Sequence, residues 1–182
     1  MIWFTSDTHF SHKNIIDYCN RPYKDIEEMN ETLVKNWNGC IAPNDSVFHL
    51  GDVCMGAKDT IDRYIPRLNG KVMVIQGNHD YKRRKDDMRE YGWEVVNDYI
   101  FRYQGIMFYL IHNPENESIK DIPAKAVILY GHVHNSAPCG PHKINGHYAF
   151  HVGVDTNDYK PVSLKTIYDD IIDYVMKVND ED

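Results

Sequence analysis

Short hydrophobic runs, each followed closely by polar residues, recur along this chain. Residues 72–75 form an unbroken run that contains β-branched residues, and Gly77, Asn78, His79 and Asp80 follow it. A run this short that is closed by glycine predicts a buried strand rather than a helix. Four similar runs predict further strands at residues 2–5, 46–50, 106–111 and 126–130.

Helical spacing of hydrophobic residues separates several of these strands. After Asp25 and Glu28, which resemble a capping box, hydrophobic residues recur at helical positions across residues 26–37. This pattern predicts a helix. Further helices are predicted at residues 61–68, where Pro66 disturbs the last turn, at 82–91 and at 164–175. The alternation of strand and helix along the first half of the chain is typical of parallel βαβ units.

The second half of the chain predicts more strands. Residues 93–103 look like a single strand, and Asn145-Gly146 between two strand-like arms is a type I′ hairpin signal. The continuous hydrophobic runs at 106–111 and 126–130 are typical of strands that are covered on both faces. We therefore predict an α/β fold in which residues 1–182 form one domain.

The composition of the chain indicates which classes of partner it can bind and in which cellular compartment it is expected. The net charge of -7 and the pI near 5.8 do not provide the basic face that binding of duplex nucleic acid usually needs. The four cysteines show no C-x-x-C spacing, which predicts free thiols in a reducing compartment. Because no hydrophobic run reaches transmembrane length and a candidate functional residue, Asp7, comes so early, we expect a cytoplasmic protein without membrane association. The sequence carries no signal for a particular oligomeric state.

Polar side chains able to bind metals or move protons follow five predicted strands. They are Asp7, His9, Asp52, Asn78, His79, His112, His132 and His134. Because ligands of α/β sheets collect beyond the carboxyl ends of parallel strands, we expect these side chains to meet in one site. Imidazole, carboxylate and amide ligands without thiolates suit a pair of cations such as manganese, iron or zinc. Two such cations can activate a water molecule, and phosphate ester hydrolysis is the natural reaction for that chemistry.

The same residues resemble the motifs of a known family. In the right order, five segments are similar to those of the calcineurin-like metallophosphoesterases: Asp7-Thr8-His9, Gly51-Asp52, Gly77-Asn78-His79-Asp80, His112 and Gly131-His132-Val133-His134. The resemblance continues through Gly153-Val154-Asp155 to Pro161-Val162-Ser163, as in small bacterial and phage-borne members. It implies a two-sheet β sandwich flanked by helices, with the layer order α/β/β/α.

The resemblance also implies roles for the motif residues. Asp7, His9 and His134 would hold one divalent metal ion. Asn78, His112 and His132 would hold a second, and Asp52 would bridge the two. A metal-bridging hydroxide would be the nucleophile, and His79 would be the general acid for the leaving-group oxygen. Manganese is the favoured metal, with iron and zinc as alternatives.

Two departures from the family pattern bear on the substrate and the ligands. The family's serine/threonine phosphatases carry an Arg shortly after the Gly-Asp motif, whereas Val53-Cys54-Met55-Gly56 follows Asp52 here. We therefore expect a phosphodiesterase that acts on a nucleotide or another small phosphate ester. Its alternatives are a phosphomonoesterase, a metal-dependent nuclease and a non-catalytic metal-binding scaffold. The second departure is the bulky Ile111 before His112, where relatives often have a small residue.

Four further residues are candidates for contacting the substrate. His12 and Asn14 lie just beyond the first motif, Arg21 lies between the first two motifs, and Arg84 belongs to the basic run 82–85. Arginine suits bidentate recognition of phosphate. The competing interpretation of each is structural: a cap, a packing contact or a solvated helix face. Structural roles are also predicted for His49, His142, His147 and His151.

Overall fold

Two five-stranded sheets carry the fold in the computed structural model, which describes residues 1–56, 58–115 and 122–180. The first sheet has the order β10-β1-β2-β3-β4 and consists of β1 (Ile2–Thr5), β2 (Ser46–His49), β3 (Lys71–Ile75), β4 (Glu94–Val96) and β10 (Val162–Ser163). The second has the order β5-β6-β7-β9-β8 and consists of β5 (Tyr99–Tyr103), β6 (Ile106–Leu110), β7 (Val127–Tyr130), β8 (Pro141–Ile144) and β9 (His147–His151).

The parallel strands end level with one another. In the first sheet β1 to β4 are parallel, and His49 at the end of β2 pairs with Thr5 on one side and Val74 on the other. In the second sheet β6, β7 and β9 are parallel, with β5 and β8 antiparallel at the edges. The carboxyl ends of the parallel strands therefore line up at one edge of each sheet, where the polar motifs begin.

Four of the five helices in the described ranges agree with the predicted periodicity, and the short helix at Ile15–Tyr18 is not among those predicted. The five are α1 (Ile15–Tyr18), α2 (Ile26–Cys40), α3 (Lys58–Tyr64), α4 (Lys82–Glu90) and α5 (Leu164–Asp180). The predicted cap of α2 is confirmed, because the Asp25 carboxylate accepts a hydrogen bond from the Glu28 backbone N–H at 2.8 Å. Pro66 acts as predicted too, since α3 ends at Tyr64 and the chain continues as a 3₁₀ turn.

Removing the cap of α2 is expected to lower stability. Asp25→Ala takes the acceptor from the Glu28 N–H and a negative charge from the helix N-terminus. The free energy of unfolding should therefore fall by about 1 kcal/mol. Urea denaturation followed by circular dichroism measures this, with Asn44→Ala at an exposed position outside the helix as the control. Equal midpoints for the two variants would show that the cap does not stabilise α2.

Hydrophobic side chains fill the space between the two sheets. This core includes Phe4, Leu50, Ile75, Phe108, Leu110, Leu129 and Phe150. Helix α5 packs against β1 and β10 of one sheet and β8 and β9 of the other, and its Leu164, Ile167 and Ile171 belong to the same core. A second cluster joins the helices to the first sheet through residues such as Leu33, Trp37, Tyr64, Val72 and Val74. The predicted two-sheet sandwich flanked by helices is confirmed.

The prediction of a single strand at residues 93–103 is wrong. Residues 93–103 form two strands rather than one, because β4 pairs with β3 in the first sheet whereas β5 pairs with β6 in the second. Asn97 and Asp98 separate them, and both residue types are depleted in strands. The chain therefore crosses from one sheet to the other at Asn97 and Asp98, beside the carboxyl end of β4.

The predicted hairpin near the end of the second sheet is confirmed. Ile144 pairs with His147, which leaves a two-residue turn of Asn145 and Gly146. Both turn residues have positive φ, 48° and 83°, as a type I′ turn requires. Among the described residues, no helix is long and apolar enough to cross a membrane.

Candidate metal centre

The strand ends bring all eight predicted metal-binding and catalytic residues to the facing edges of the two sheets. Asp7 and His9 follow β1, Asp52 follows β2, and Asn78 and His79 follow β3. His112 follows β6, and His132 and His134 follow β7. Two groups of potential ligands result, Asp7 with His9 and His134, and Asp52 with His112 and His132. Within each group, one potential ligand atom per residue lies within 4.8 Å of the others.

In the second group, together with Asn78, four potential ligand atoms face one another. His112 Nε2 lies 3.0 Å from Asn78 Oδ1 and 3.4 Å from Asp52 Oδ2, and His132 Nδ1 lies 3.0 Å from the same Asn78 oxygen. The other nitrogen of His112, Nδ1, donates to the Leu50 carbonyl at 2.7 Å, so the neutral ring carries no proton on Nε2. Only a proton or a cation between these atoms relieves their repulsion, so the donor set fits a metal ion.

The pKa of His112 also indicates that its surroundings favour a positive charge. Burial alone would lower this pKa, but the carboxylates of Asp52 and Asp7 and the Leu50 carbonyl outweigh burial and raise it to about 9. A cation held by Nε2 would satisfy the oxygen atoms of Asp52 and Asn78 that face this nitrogen, without a proton.

The first group has buried polar atoms without partners. Asp7 Oδ2 accepts hydrogen bonds from the Ser6 hydroxyl and from the His132 backbone N–H, whereas Asp7 Oδ1 is buried with no partner among the described residues. His9 is 1 % exposed, and both of its ring nitrogens lack partners in the same sense. Buried polar atoms are rarely left unpaired, and such atoms beside a second histidine, His134, fit a metal ion.

Asp52 lies between the two groups. Its Oδ2 is 3.6 Å from His9 Nε2 and 3.4 Å from His112 Nε2, so one oxygen atom faces a potential ligand of each group. Its Oδ1 accepts from the His79 backbone N–H at 2.8 Å. Burial would raise the pKa of Asp52, but His112, His9 and this N–H together hold it well below its usual range. The carboxylate is therefore ionised and able to contact two cations.

Backbone strain accompanies this convergence. Asp7, His9, Asp52, His132 and His134 all have positive φ, at 56°, 50°, 58°, 75° and 51°. The left-handed conformation costs a non-glycine residue roughly 1 to 2 kcal/mol. Strain of this kind persists where the surrounding structure enforces it, and it concentrates at functional sites. Here it lets the chain turn sharply after each strand, so that the side chains point at one another.

The glycines of the motifs allow the loops to approach closely. A Cβ on Gly77 would lie 2.2 Å from Asp52 Oδ1 and 2.4 Å from the Asp52 backbone nitrogen. A Cβ on Gly131 would lie 2.3 Å from the Ser6 hydroxyl. Any side chain at either position would push a ligand loop away from its neighbour.

A buried ion pair holds the His134 ring through its Nδ1 atom. His134 Nδ1 lies 2.8 Å from Asp155 Oδ2, and Asp155 accepts from Arg21 Nε and Nη2 at 2.8 and 3.0 Å. Burial would raise the pKa of Asp155, but His134 and Arg21 outweigh it and lower that pKa. Arg21 Nη2 also donates to the Asp7 carbonyl at 2.8 Å, so one guanidinium joins the β1 loop to the His134 loop.

The four predicted substrate contacts differ in their placement. His12 lies beside the site, with its ring 5.3 Å from that of His9 and 6.5 Å from that of His79. Asn14 is exposed at the start of α1. The structure does not support substrate contact by Arg21, because this side chain is buried and bonded to Asp155 and to backbone carbonyls.

Arg84 also makes internal contacts. Its guanidinium donates to the His79 carbonyl and, at 3.2 Å, to the Gly56 carbonyl, and it lies over the Tyr81 ring. This residue therefore joins the β2 and β3 loops and fixes the backbone of His79. The His79 ring itself stays 33 % exposed, with Nε2 at 4.0 Å from Asp52 Oδ2.

Three residues of the site have no role in the sequence prediction. Asp155 supports His134, and Ser6 donates to Asp7. Asp80 is fully buried and accepts from the backbone N–H groups of Asp52, Gly77 and Val53, at 2.8, 2.9 and 3.2 Å. Asp80 and Asp155 both lie in segments that carry the family resemblance, which is the signal that could have drawn attention to them.

The surrounding histidines fit the structural roles predicted for them. His49 is buried in β2, with Nε2 at 2.9 Å from the Thr8 hydroxyl. His142 lies 2.7 Å from the Tyr130 hydroxyl, His147 lies 3.1 Å from the Ala126 carbonyl, and His151 lies 2.7 Å from the Thr156 hydroxyl.

Comparisons with known proteins agree with this geometry. Residues 1–147 match the calcineurin-like phosphoesterase superfamily domain. An uncharacterized protein of Methanocaldococcus jannaschii is 37% identical over 169 residues, which are 91% of this chain and 88% of that protein. The Gene 66 protein of Mycobacterium phage L5 is 38% identical over 81 residues, 43% of this chain and 39% of that protein.

A solved structure extends the likeness to the fold of almost the whole chain. The crystal structure of a protein of unknown function from Aquifex aeolicus superposes with a TM-score of 0.71 at 25% identity, over 93% of this chain and 98% of that one. The family match covers the positions of all eight predicted metal-binding and catalytic residues. The chain therefore belongs to the calcineurin-like phosphoesterase superfamily and is a metal-dependent phosphoric ester hydrolase.

Proposed function

We propose that this chain is a phosphodiesterase that hydrolyses a nucleotide or another small phosphate ester at a two-cation centre. The observation that carries the proposal is the position of Asp52, whose Oδ2 faces His9 at 3.6 Å and His112 at 3.4 Å. Asp7, His9 and His134 hold the first cation, Asn78, His112 and His132 hold the second, and Asp52 contacts both. A non-catalytic scaffold has no need to keep this complete donor set.

The donor atoms are nitrogen and oxygen, so we propose manganese as the metal, with iron and zinc as alternatives. Two bound cations can lower the pKa of a water molecule to roughly 7 and neutralise charge on the phosphate.

His79 is the proposed general acid. Its backbone is fixed from both sides, by the N–H donated to Asp52 and by Arg84 on its carbonyl oxygen. Its ring remains partly exposed beside His9 and His12, where it can deliver a proton to the leaving-group oxygen. His12 lies where it can orient the substrate, and burial together with neighbouring His79 lowers its pKa, which favours a neutral ring.

The charges around the site favour a diester over a monoester. A monoester dianion carries one more negative charge than a diester and gains most from a free guanidinium. Arg21 is buried against Asp155, and Arg84 is bonded to the carbonyls of His79 and Gly56. Among the described residues, both arginines that were predicted to contact phosphate are therefore already paired. Neither is free to bind the extra negative charge of a monoester. The net charge of -7 likewise gives no support to a nuclease acting on duplex nucleic acid.

Paired artificial substrates test this proposal. Metal-stripped protein should hydrolyse bis-p-nitrophenyl phosphate after manganese is added back, and should hydrolyse p-nitrophenyl phosphate more slowly. Iron and zinc are tested in the same way. Faster turnover of the monoester would overturn the diester preference, and turnover of either substrate without metal would overturn the two-cation centre.

We also propose that the chain acts in the cytoplasm as one domain. All four cysteines are free thiols, which supports a reducing compartment. Strand β10 and helix α5, which follow the family match, pair with β1 and pack on both sheets, which supports one folding unit.

Asp155 should control how tightly the first cation is held. Asp155→Asn keeps the size of the side chain but removes the charge that orients and polarises His134. The affinity for one of the two manganese ions should fall about 10- to 100-fold. Calorimetric titration of metal-stripped protein measures this, with Asp158→Asn at a nearby exposed position as the matched control. Unchanged affinity for both ions would show that Asp155 only neutralises Arg21.

A further inference from the structure

A cavity of about 280 Å³ opens beside the second ligand group. Asn78 and His112 form one wall, and the other polar residues around it are Gln76, Asn97, Asp98 and Asn113. A larger cavity of about 570 Å³ lies at the opposite end of the first sheet, near the first residues of β2, β3 and β4, and none of the proposed ligands lines it. The smaller cavity adjoins two of the proposed ligands, so a group attached to a bound phosphate can enter it.

The topology explains why a cavity forms here. β3 and β4 of the first sheet and β6 of the second all end at it, and the chain crosses between the sheets at Asn97 and Asp98. Crevices outside the carboxyl ends of strands, where the chain changes direction, are the usual ligand sites of α/β folds. Asn97 and Asp98 therefore line the cavity because the chain passes from one sheet to the other through them.

Six of the eight lining residues have polar side chains, and among the described residues the lining contains no Lys or Arg; its His112 is a proposed metal ligand. The carbonyl oxygen of Gln76 is occupied by Lys85 at 2.8 Å, and Asn113 Oδ1 accepts from the Glu115 backbone N–H at 2.9 Å. This leaves the N–H₂ groups of both amides as donors. In the described part of the chain, the side chains of Asn97 and Asp98 make no hydrogen bonds, so they add one amide and one carboxylate.

These hydrogen-bond donors and acceptors favour some of the chemical groups that an ester can carry over others. A second phosphate would meet the Asp98 carboxylate, and Lys85, a cation beside the lining, already donates to Gln76. An aromatic ring would leave the amide groups unpaired, which is unfavourable wherever it displaces water from them. Hydroxyl groups can donate to Asp98 and accept from the amides, so a neutral polyhydroxyl group satisfies the lining best.

We propose that this cavity binds the alcohol portion of the substrate, and that this portion is a neutral group rich in hydroxyls. Polyols and the ribose of a ribonucleoside share that chemistry. This inference rests on the proposed function, because it assumes that the phosphate of the substrate lies at the two cations. Asn97 and Asp98 are then specificity-determining residues, which act on binding of the alcohol and not on metal binding.

The kinetic test uses esters that share p-nitrophenol as the leaving group. These are the p-nitrophenyl diesters of uridine 5′-phosphate, glycerol phosphate and phosphocholine, with bis-p-nitrophenyl phosphate for reference. Asn97→Ala and Asp98→Ala in manganese-loaded protein should raise KM about 3- to 10-fold for the uridine ester, the glycerol ester or both, which identifies the source. They should leave KM for bis-p-nitrophenyl phosphate unchanged, and Asn44→Ala, an exposed asparagine before β2, should change none of these values.

A binding measurement separates this inference from the proposed function. Calorimetry with uridine 5′-phosphate and with glycerol 3-phosphate needs no turnover, and at least one of them should bind about 3- to 10-fold more weakly to both cavity variants. Selective weakening without any metal-dependent hydrolysis would remove the proposed function and keep the polyhydroxyl site. Equal binding to the variants and the unaltered protein, an equal KM rise for bis-p-nitrophenyl phosphate, or a loss confined to the choline ester would overturn the inference.

Discussion

Asp52→Asn is expected to lose at least one of two bound manganese ions and to lower kcat about 10³-fold or more. One carboxylate oxygen faces both ligand groups, at 3.6 Å from His9 Nε2 and 3.4 Å from His112 Nε2. An amide oxygen carries no full charge, so it cannot offset the repulsion between two cations as a carboxylate does. Metal content by mass spectrometry and hydrolysis of bis-p-nitrophenyl phosphate measure the two effects.

Asp45→Asn is the control for this substitution. Asp45 is a carboxylate before β2, at the opposite end of the first sheet, where it accepts from Trp3 Nε1 and from the Ala42 backbone N–H, both at 3.0 Å. That variant should keep both metal ions and full activity even if it is less stable. Retention of both ions and of activity in Asp52→Asn would remove the bridging role.

His79→Ala should separate proton transfer from metal binding. The ring of His79 belongs to neither group of potential metal ligands, so the variant should keep two manganese ions. The loss in kcat should reach about 10²- to 10⁴-fold for an alkyl leaving group, because an alkoxide needs a proton to depart. For p-nitrophenolate, which is stable without a proton, the loss should be much smaller.

Thymidylyl-thymidine and bis-p-nitrophenyl phosphate provide the two leaving groups, and each serves as the control for the other. An equal loss for both substrates with both metals retained would mean that His79 positions the phosphate rather than protonating the leaving group. Loss of a metal ion would mean that His79, or its loop held by Asp52 and Arg84, supports the centre instead.

Local patterns made most of the fold predictable. The runs that became β1, β3, β6 and β7 are short and mostly hydrophobic, β2 has Val47 and Phe48 at its centre, and polar residues follow each strand closely. The merged strand at 93–103 shows the limit of such patterns. Its two halves have similar composition, and only the pairing of β4 with β3 and of β5 with β6 separates them.

The supporting residues of the site were harder to predict than the candidate ligands. Arg21 and Asp155 are 134 positions apart, and their pairing depends on how the loops after β1 and β9 meet in space. An arginine between two motifs looks like a phosphate contact in the sequence, because nothing local shows that a distant carboxylate occupies it. The backbone strain at the ligands is equally hidden, since Asp and His do not mark left-handed positions as glycine does.

The most direct test of the two-cation centre is a titration of metal-stripped protein with manganese, in which bound metal and hydrolysis of bis-p-nitrophenyl phosphate are measured on the same samples. We expect binding to saturate at two ions per chain, with activity appearing as the second ion binds. Full activity at one ion per chain, or activity that persists without metal, would contradict the account.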